Sequence, residues 1–69
     1  MNNKQNQIIQ LTSSNGTKFR INSSEIGVYC KPEGSQYTSM FMTGDNGTKF
    51  QVKETPDEID KMLGINFNL

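Results

Sequence analysis

Histidine is absent from these 69 residues, and cysteine occurs once, at Cys30. Without histidine the chain lacks the usual general base and the commonest metal ligand. A single cysteine cannot close a disulfide within the chain. Together with the polar opening MNNKQNQ, which holds no apolar leader, this points to a reducing, cytoplasmic setting. Net charge is missing too: seven Lys and Arg offset seven Asp and Glu. That removes long-range steering toward nucleic acid or an anionic membrane, although a local patch survives a zero sum. No run approaches the roughly 18 apolar residues that a membrane-spanning helix needs. Hydrophobic residues make up only 32% of the chain, so one small core is all that can form.

The groups that carry catalysis are correspondingly thin. Cys30 has no histidine partner and falls on the inward side of its strand, as a structural thiol does. Asp57, Glu58 and Asp60 have the spacing of a helix start and a solvated helix face. The stretch from Gly44 to Gly47, GDNG, reads as a turn and lacks the further ligands of a calcium loop. No lysine follows a glycine-rich run at phosphate-loop spacing. These features predict a chain that is not an enzyme and carries no cofactor and no metal.

What is present is pattern. The pentapeptide NGTKF occurs at Asn15–Phe19 and again at Asn46–Phe50. Asn-Gly favours a type I′ hairpin corner, where both central residues take positive φ. The flanks alternate: Ile9 and Leu11 before the first corner, Phe19 and Ile21 after it, Met40 and Met42 before the second, Phe50 and Val52 after that. Between the two hairpins, EIGVYCK predicts a strand with Ile26, Val28 and Cys30 on one side and Gly27 and Tyr29 on the other. It ends at KPEG, where Pro32 and Gly34 set a turn. The period then changes. Thr55, Pro56 and Glu58 predict an N-cap, a first-turn proline and a capping box, and Ile59, Met62 and Leu63 form an apolar helical stripe ending at Gly64.

The fold expected is therefore mainly β: a five-stranded antiparallel meander, as a curled sheet or a small barrel, with a C-terminal helix. Residues 1–7 form a polar extension, 8–64 the single domain and 65–69 a tail. The inward set is Ile9, Leu11, Phe19, Ile21, Ile26, Val28, Cys30, Met40, Met42, Phe50, Val52, Ile59, Met62 and Leu63. Such a core is small for an isolated chain, which favours self-association. In the tail, GINFNL alternates Ile65, Phe67 and Leu69 with asparagines. This is a strand pattern that either closes the protomer's own sheet or adds to a neighbour's edge.

Two candidate surfaces follow. Tyr29, Tyr37 and Phe41 fall on the outer face of adjoining strands, as a subunit contact or a stacking platform. Lys18, Arg20, Lys31, Lys49 and Lys53 are outward residues that could border that platform as a basic strip, interrupted by Glu25, Asp45 and Glu54. Stacking with Lys or Arg contacts to phosphate would suit a nucleotide or RNA held in an oligomer.

Taken together, IIQLTSSNGTKFRINSSEI and NGTKFQVKETPDEIDKML resemble the FlbD-type small flagellar and swarming-motility proteins. The residues that match are Leu11, Thr12, Asn15, Gly16, Phe19, Ile21, Asn22, Ile26, Asn46, Gly47, Phe50, Val52, Lys53 and Glu54. The VKE strand leading straight into a capped helix is the most specific part. The resemblance spans most of the chain, about Ile8 to Leu63. It implies a small accessory protein that acts by binding and has no enzymatic activity. Similar short proteins also occur in phage genomes.

Overall fold

The computed structural model describes residues 7–44 and 48–65. Five strands precede one helix: β1 Ile8–Thr12, β2 Lys18–Asn22, β3 Ile26–Cys30, β4 Thr38–Met42, β5 Lys49–Val52 and α1 Pro56–Leu63. β1 and β2 form one antiparallel sheet; β3, β4 and β5 form another, with β4 central. The two are joined where β1 leaves its hairpin. The Lys53 N–H donates to the Thr12 carbonyl at 2.8 Å, the Ser14 N–H to the Gln51 carbonyl at 3.0 Å, and Ser13 bridges Val52. The spatial order is thus β2, β1, β5, β4, β3, a curled sheet whose outer strands β2 and β3 share no ladder among the described residues. Among the described residues it does not close into a barrel.

The first Asn-Gly sequence makes the expected hairpin by a different corner. Ser13 and Thr17 close a three-residue loop through a 2.8 Å hydrogen bond, and the Gly16 N–H donates to the Ser13 carbonyl at 2.9 Å. Gly16 alone takes positive φ, at 95°, while Asn15 does not. This is a turn followed by a left-handed glycine bulge, in place of the type I′ corner. Asn15 keeps an ordinary φ because its carboxamide oxygen accepts from the Thr17 N–H and the Ser13 hydroxyl. The second corner, at Asn46 and Gly47, lies outside the described residues; the β4–β5 register shows the hairpin it serves.

Three residues link β2 to β3. Ser23–Glu25 forms a single 3-10 turn, capped by Asn22, whose side chain accepts from the Ser24 N–H at 3.1 Å. After β3 the Ser35 N–H donates to the Pro32 carbonyl at 3.0 Å with Gly34 at φ 85°. Pro32 therefore opens that turn as its carbonyl acceptor, and Gly34 supplies the left-handed step.

The helix forms as its sequence predicts. Thr55 accepts from the Glu58 N–H at 3.1 Å and Glu58 accepts from the Thr55 N–H at 2.8 Å, both halves of a capping box. Gly64, at φ 76°, ends it; the N–H groups of Gly64 and Ile65 return to the Lys61 and Asp60 carbonyls. Ile59 enters the core with Ile9, Leu11, Met40 and Val52, and these five are the buried apolar residues among those described. Phe19, Ile21, Ile26, Met42, Met62 and Leu63 line its rim.

The short run between β5 and α1 holds the sheets and helix together. The Glu54 carboxylate accepts from the Thr12 N–H at 2.9 Å, and its carbonyl accepts from the Thr38 hydroxyl at 2.6 Å. Burial pushes the Glu54 carboxyl up, but the Thr12 hydrogen bonds and the nearby Lys18 ammonium prevail and hold it below its ordinary 4.5. At the other end, the Gln7 carboxamide donates to the Met62 carbonyl at 2.6 Å, so the residue expected to end a polar extension ties β1 to α1.

Three residues of the expected inward set face elsewhere or lie open. Val28 and Cys30 are exposed, and Phe50 is 38% exposed. For β3 the cause is a register shift: Ile26 pairs with Met42 and Val28 with Phe41, so two steps along β3 match one along β4. The extra residue is Gly27. A bulge of this kind reverses the faces of everything after it. Phe50 keeps the inward phase opposite buried Met40, but it lies at the open margin and contacts Phe19, with ring centroids 5.6 Å apart.

Candidate binding surface

The bulge decides which side chains β3 offers to solvent. Beyond Gly27, Tyr29 turns to the core side, where its hydroxyl donates to the Asp60 carboxylate on α1. Desolvation, then the hydrogen bond to Asp60 and its negative charge, push the Tyr29 hydroxyl from 10.0 up to about 12. Tyr29 is therefore a structural tie between sheet and helix, and it does not belong to the outer aromatic platform expected from alternation. Asp60, expected on a solvated helix face, is half-buried as its acceptor.

Val28 takes the outward place. In the antiparallel register Val28 stands opposite Phe41, and Phe41 opposite Lys49, so the three side chains form one row across the outer face. Val28 is 58% and Phe41 37% exposed, and the Lys49 ammonium lies 5.9 Å from the centre of the Phe41 ring. That is cation–π distance. The next row is Cys30, Ser39 and Gln51. Where β3 meets the first turns of α1, an open groove of about 400 Å³ is lined by Gly27, Val28, Tyr29, Pro56 and Asp60.

The other expected site residues are dispersed. Tyr37 precedes β4 and is half-buried; its N–H and carbonyl are both bonded to the Ser35 hydroxyl. Lys18 and Arg20 are exposed on β2, in the other sheet, and Lys18 acts on Glu54. Lys53 is exposed beyond the end of β5, and Lys31 beyond the end of β3. Lys49 is the cation seated on an aromatic ring among the described residues. Ile65 is exposed and its N–H helps to end α1, while Phe67 and Leu69 lie outside the described residues. The sequence reading missed Val28 as a surface residue. Its signal was Gly27, because a glycine within a strand marks a bulge.

Chemically, this surface can bury apolar groups and hold one cation beside a ring. No three His, Cys, Asp or Glu side chains converge among the described residues, and no helix there is long and apolar enough to cross a membrane. Comparison with known proteins finds no family model, no curated protein and no solved structure that matches the chain.

Proposed function

We propose that this chain is a small non-enzymatic accessory protein that self-associates and docks on a larger protein assembly, as the FlbD-type proteins it resembles would. The observation that carries the reading is the row of Val28, Phe41 and Lys49 on the outer face of β3–β5. Scattered apolar residues are ordinary on a protein surface. An aliphatic and an aromatic side chain set side by side on adjacent strands are the makings of an interface core, with the lysine at its rim. Protein docking suits this row better than nucleotide or RNA stacking. Tyr29 has left the face, and the basic residues expected around it are divided between two sheets.

The test measures mass by light scattering, with the ultraviolet absorbance ratio that betrays co-purified nucleotide, on the wild type and on Phe41→Ser. The wild type is expected above the 7.8 kDa of one chain, with the absorbance of protein alone. Phe41→Ser is expected to lower that mass or abolish partner binding while its circular dichroism stays unchanged. Co-purified nucleotide lost in Phe41→Ser would replace docking with ligand sequestration. Full function in Phe41→Ser would remove this face from the reading.

A further inference from the structure

The curled sheet ends on two strands, and their sequences treat those edges differently. β2, KFRIN, carries Lys18 at its start and Arg20 at its centre, as edge strands that resist pairing commonly do. β3, IGVYC, contains no charge and no proline. No described strand pairs with its second edge, and α1 stands beside it across an open groove that reaches Gly27, Val28 and Tyr29. Half of the backbone N–H and carbonyl groups of an edge strand point away from its one partner and accept a further strand.

From this edge we infer that the chain dimerises by antiparallel pairing of β3 with β3 of a second copy, about a two-fold axis at Val28. The inference rests on the self-associating reading above and assigns it one surface.

Charge selects both the occupant and its direction. Glu25 stands three residues before Val28, and Lys31 three residues after it; both are exposed. Antiparallel self-pairing brings the acidic end of one β3 to the basic end of the other, twice in each dimer. Parallel pairing would set like charge beside like. The side chains agree with the same axis. Val28 meets the partner's Val28, so the row Lys49, Phe41, Val28 continues into Val28, Phe41, Lys49 of the partner. The β3–β5 sheets of the two copies then run on as six strands, with an apolar strip closed at each end by a lysine. About this axis Val28–Cys30, the regular part of the edge, lies opposite the bulged stretch Ile26–Val28 of the partner. Few backbone bonds are then made, and the apolar strip and the charged ends must supply the rest. A concentration-dependent dimer follows, with a docking face twice the size of the single protomer's.

Charge substitutions test the axis directly. Val28→Lys and Val28→Glu each place like charges opposite each other, and each is expected to weaken self-association by about tenfold or more. Mixed in equal amounts, the two variants are expected to form a heterodimer again. Glu25→Lys alone is expected to weaken the dimer, and adding Lys31→Glu to restore it. Sedimentation velocity over a range of concentrations reads all four, with circular dichroism to verify folding. Amide exchange supplies a readout that needs no variant: β3 amides are expected to slow as wild-type concentration rises, while β2 amides do not.

Unchanged association of folded Val28→Lys, or a mixture that fails to pair, overturns β3 as the interface and leaves self-association through another surface. Dissociation on removal of residues 65–69, with Val28→Lys unaffected, assigns the contact to the tail instead. A wild type that stays at the mass of one chain at every concentration overturns both this inference and the self-associating reading.

Discussion

β1 and β3 are both five-residue strands with a regular alternation of side-chain type, and the fold honours only one of them. In β1 the pattern runs Ile8 out, Ile9 in, Gln10 out, Leu11 in, and the register with β2 continues without a break from Ile8 opposite Asn22 to Thr12 opposite Lys18. In β3 the pattern starts with Ile26 toward the core and returns to it only at Tyr29. The difference lies in the ladder. Alternation predicts faces only while each step on one strand meets one step on its neighbour. β1 has such a neighbour throughout; β3 slips at Gly27. The intervening glycine puts a partly buried tyrosine on the core side in place of the valine, and the tyrosine brings a hydroxyl that reaches α1.

The sharpest way to expose this contrast is to remove apolar volume from each strand. Leu11 is fully buried and belongs to the five-residue core, so Leu11→Ala is expected to destabilise the fold by about 3 kcal/mol. Cys30, which alternation also placed inward, is exposed, and Cys30→Ser is expected to stay within about 0.5 kcal/mol of wild type. Urea denaturation followed by circular dichroism compares the two. A cost for Cys30→Ser approaching that of Leu11→Ala would mean that β3 keeps the unbroken alternation after all.

The bulge itself can be attacked at Gly27. A Cβ built there would lie 3.1 Å from the Phe41 carbonyl oxygen and 3.4 Å from the Thr43 methyl carbon. The carbonyl belongs to the central strand of the sheet and cannot swing away as a side chain could. Gly27→Val is therefore expected to cost about 2 kcal/mol, through crowding of β4. Valine suits a regular strand well, so a β3 without the bulge would instead be stabilised by the same substitution. The sign of the change in urea midpoint separates the two arrangements.

What could be read in the chain follows the range of the interactions concerned. The helix was legible to the residue: Thr55, Pro56, Glu58 and Gly64 act within one or two turns of each other, and their chemistry is local. The first hairpin was legible in its position, while its corner type was not. The Asn15 carboxamide satisfies the Thr17 N–H and relieves Asn15 of a positive φ, a choice between two turns that the same dipeptide serves. The outer face was half legible. Phe41 and Lys49 stand where alternation puts them, but the exchange of Val28 for Tyr29 depends on how β4 meets Gly27 and on Asp60, distant in sequence. The link from Glu54 to Thr12 and Thr38 is of the same long-range kind.

A smaller loss than that of Leu11→Ala or Gly27→Val isolates the hydroxyl that the bulge delivers. Tyr29→Phe keeps the ring at the core margin and removes only the donor to Asp60, whose half-exposed carboxylate can take water in its place. The expected loss is about 1 kcal/mol at neutral pH. The sign of the pH dependence follows from the direction of the shift. The folded state holds the hydroxyl proton more tightly than the unfolded chain, with a value of about 12 against 10.0. Its contribution is therefore fully present below pH 10.0 and is lost as the pH rises through about 12. Tyr29→Phe should show a flatter stability profile across that window, and the two proteins should converge at its upper end. If Tyr29 stood on the outer face with Phe41, its loss would leave the alkaline profile unchanged, and Val28 would have no claim to the surface.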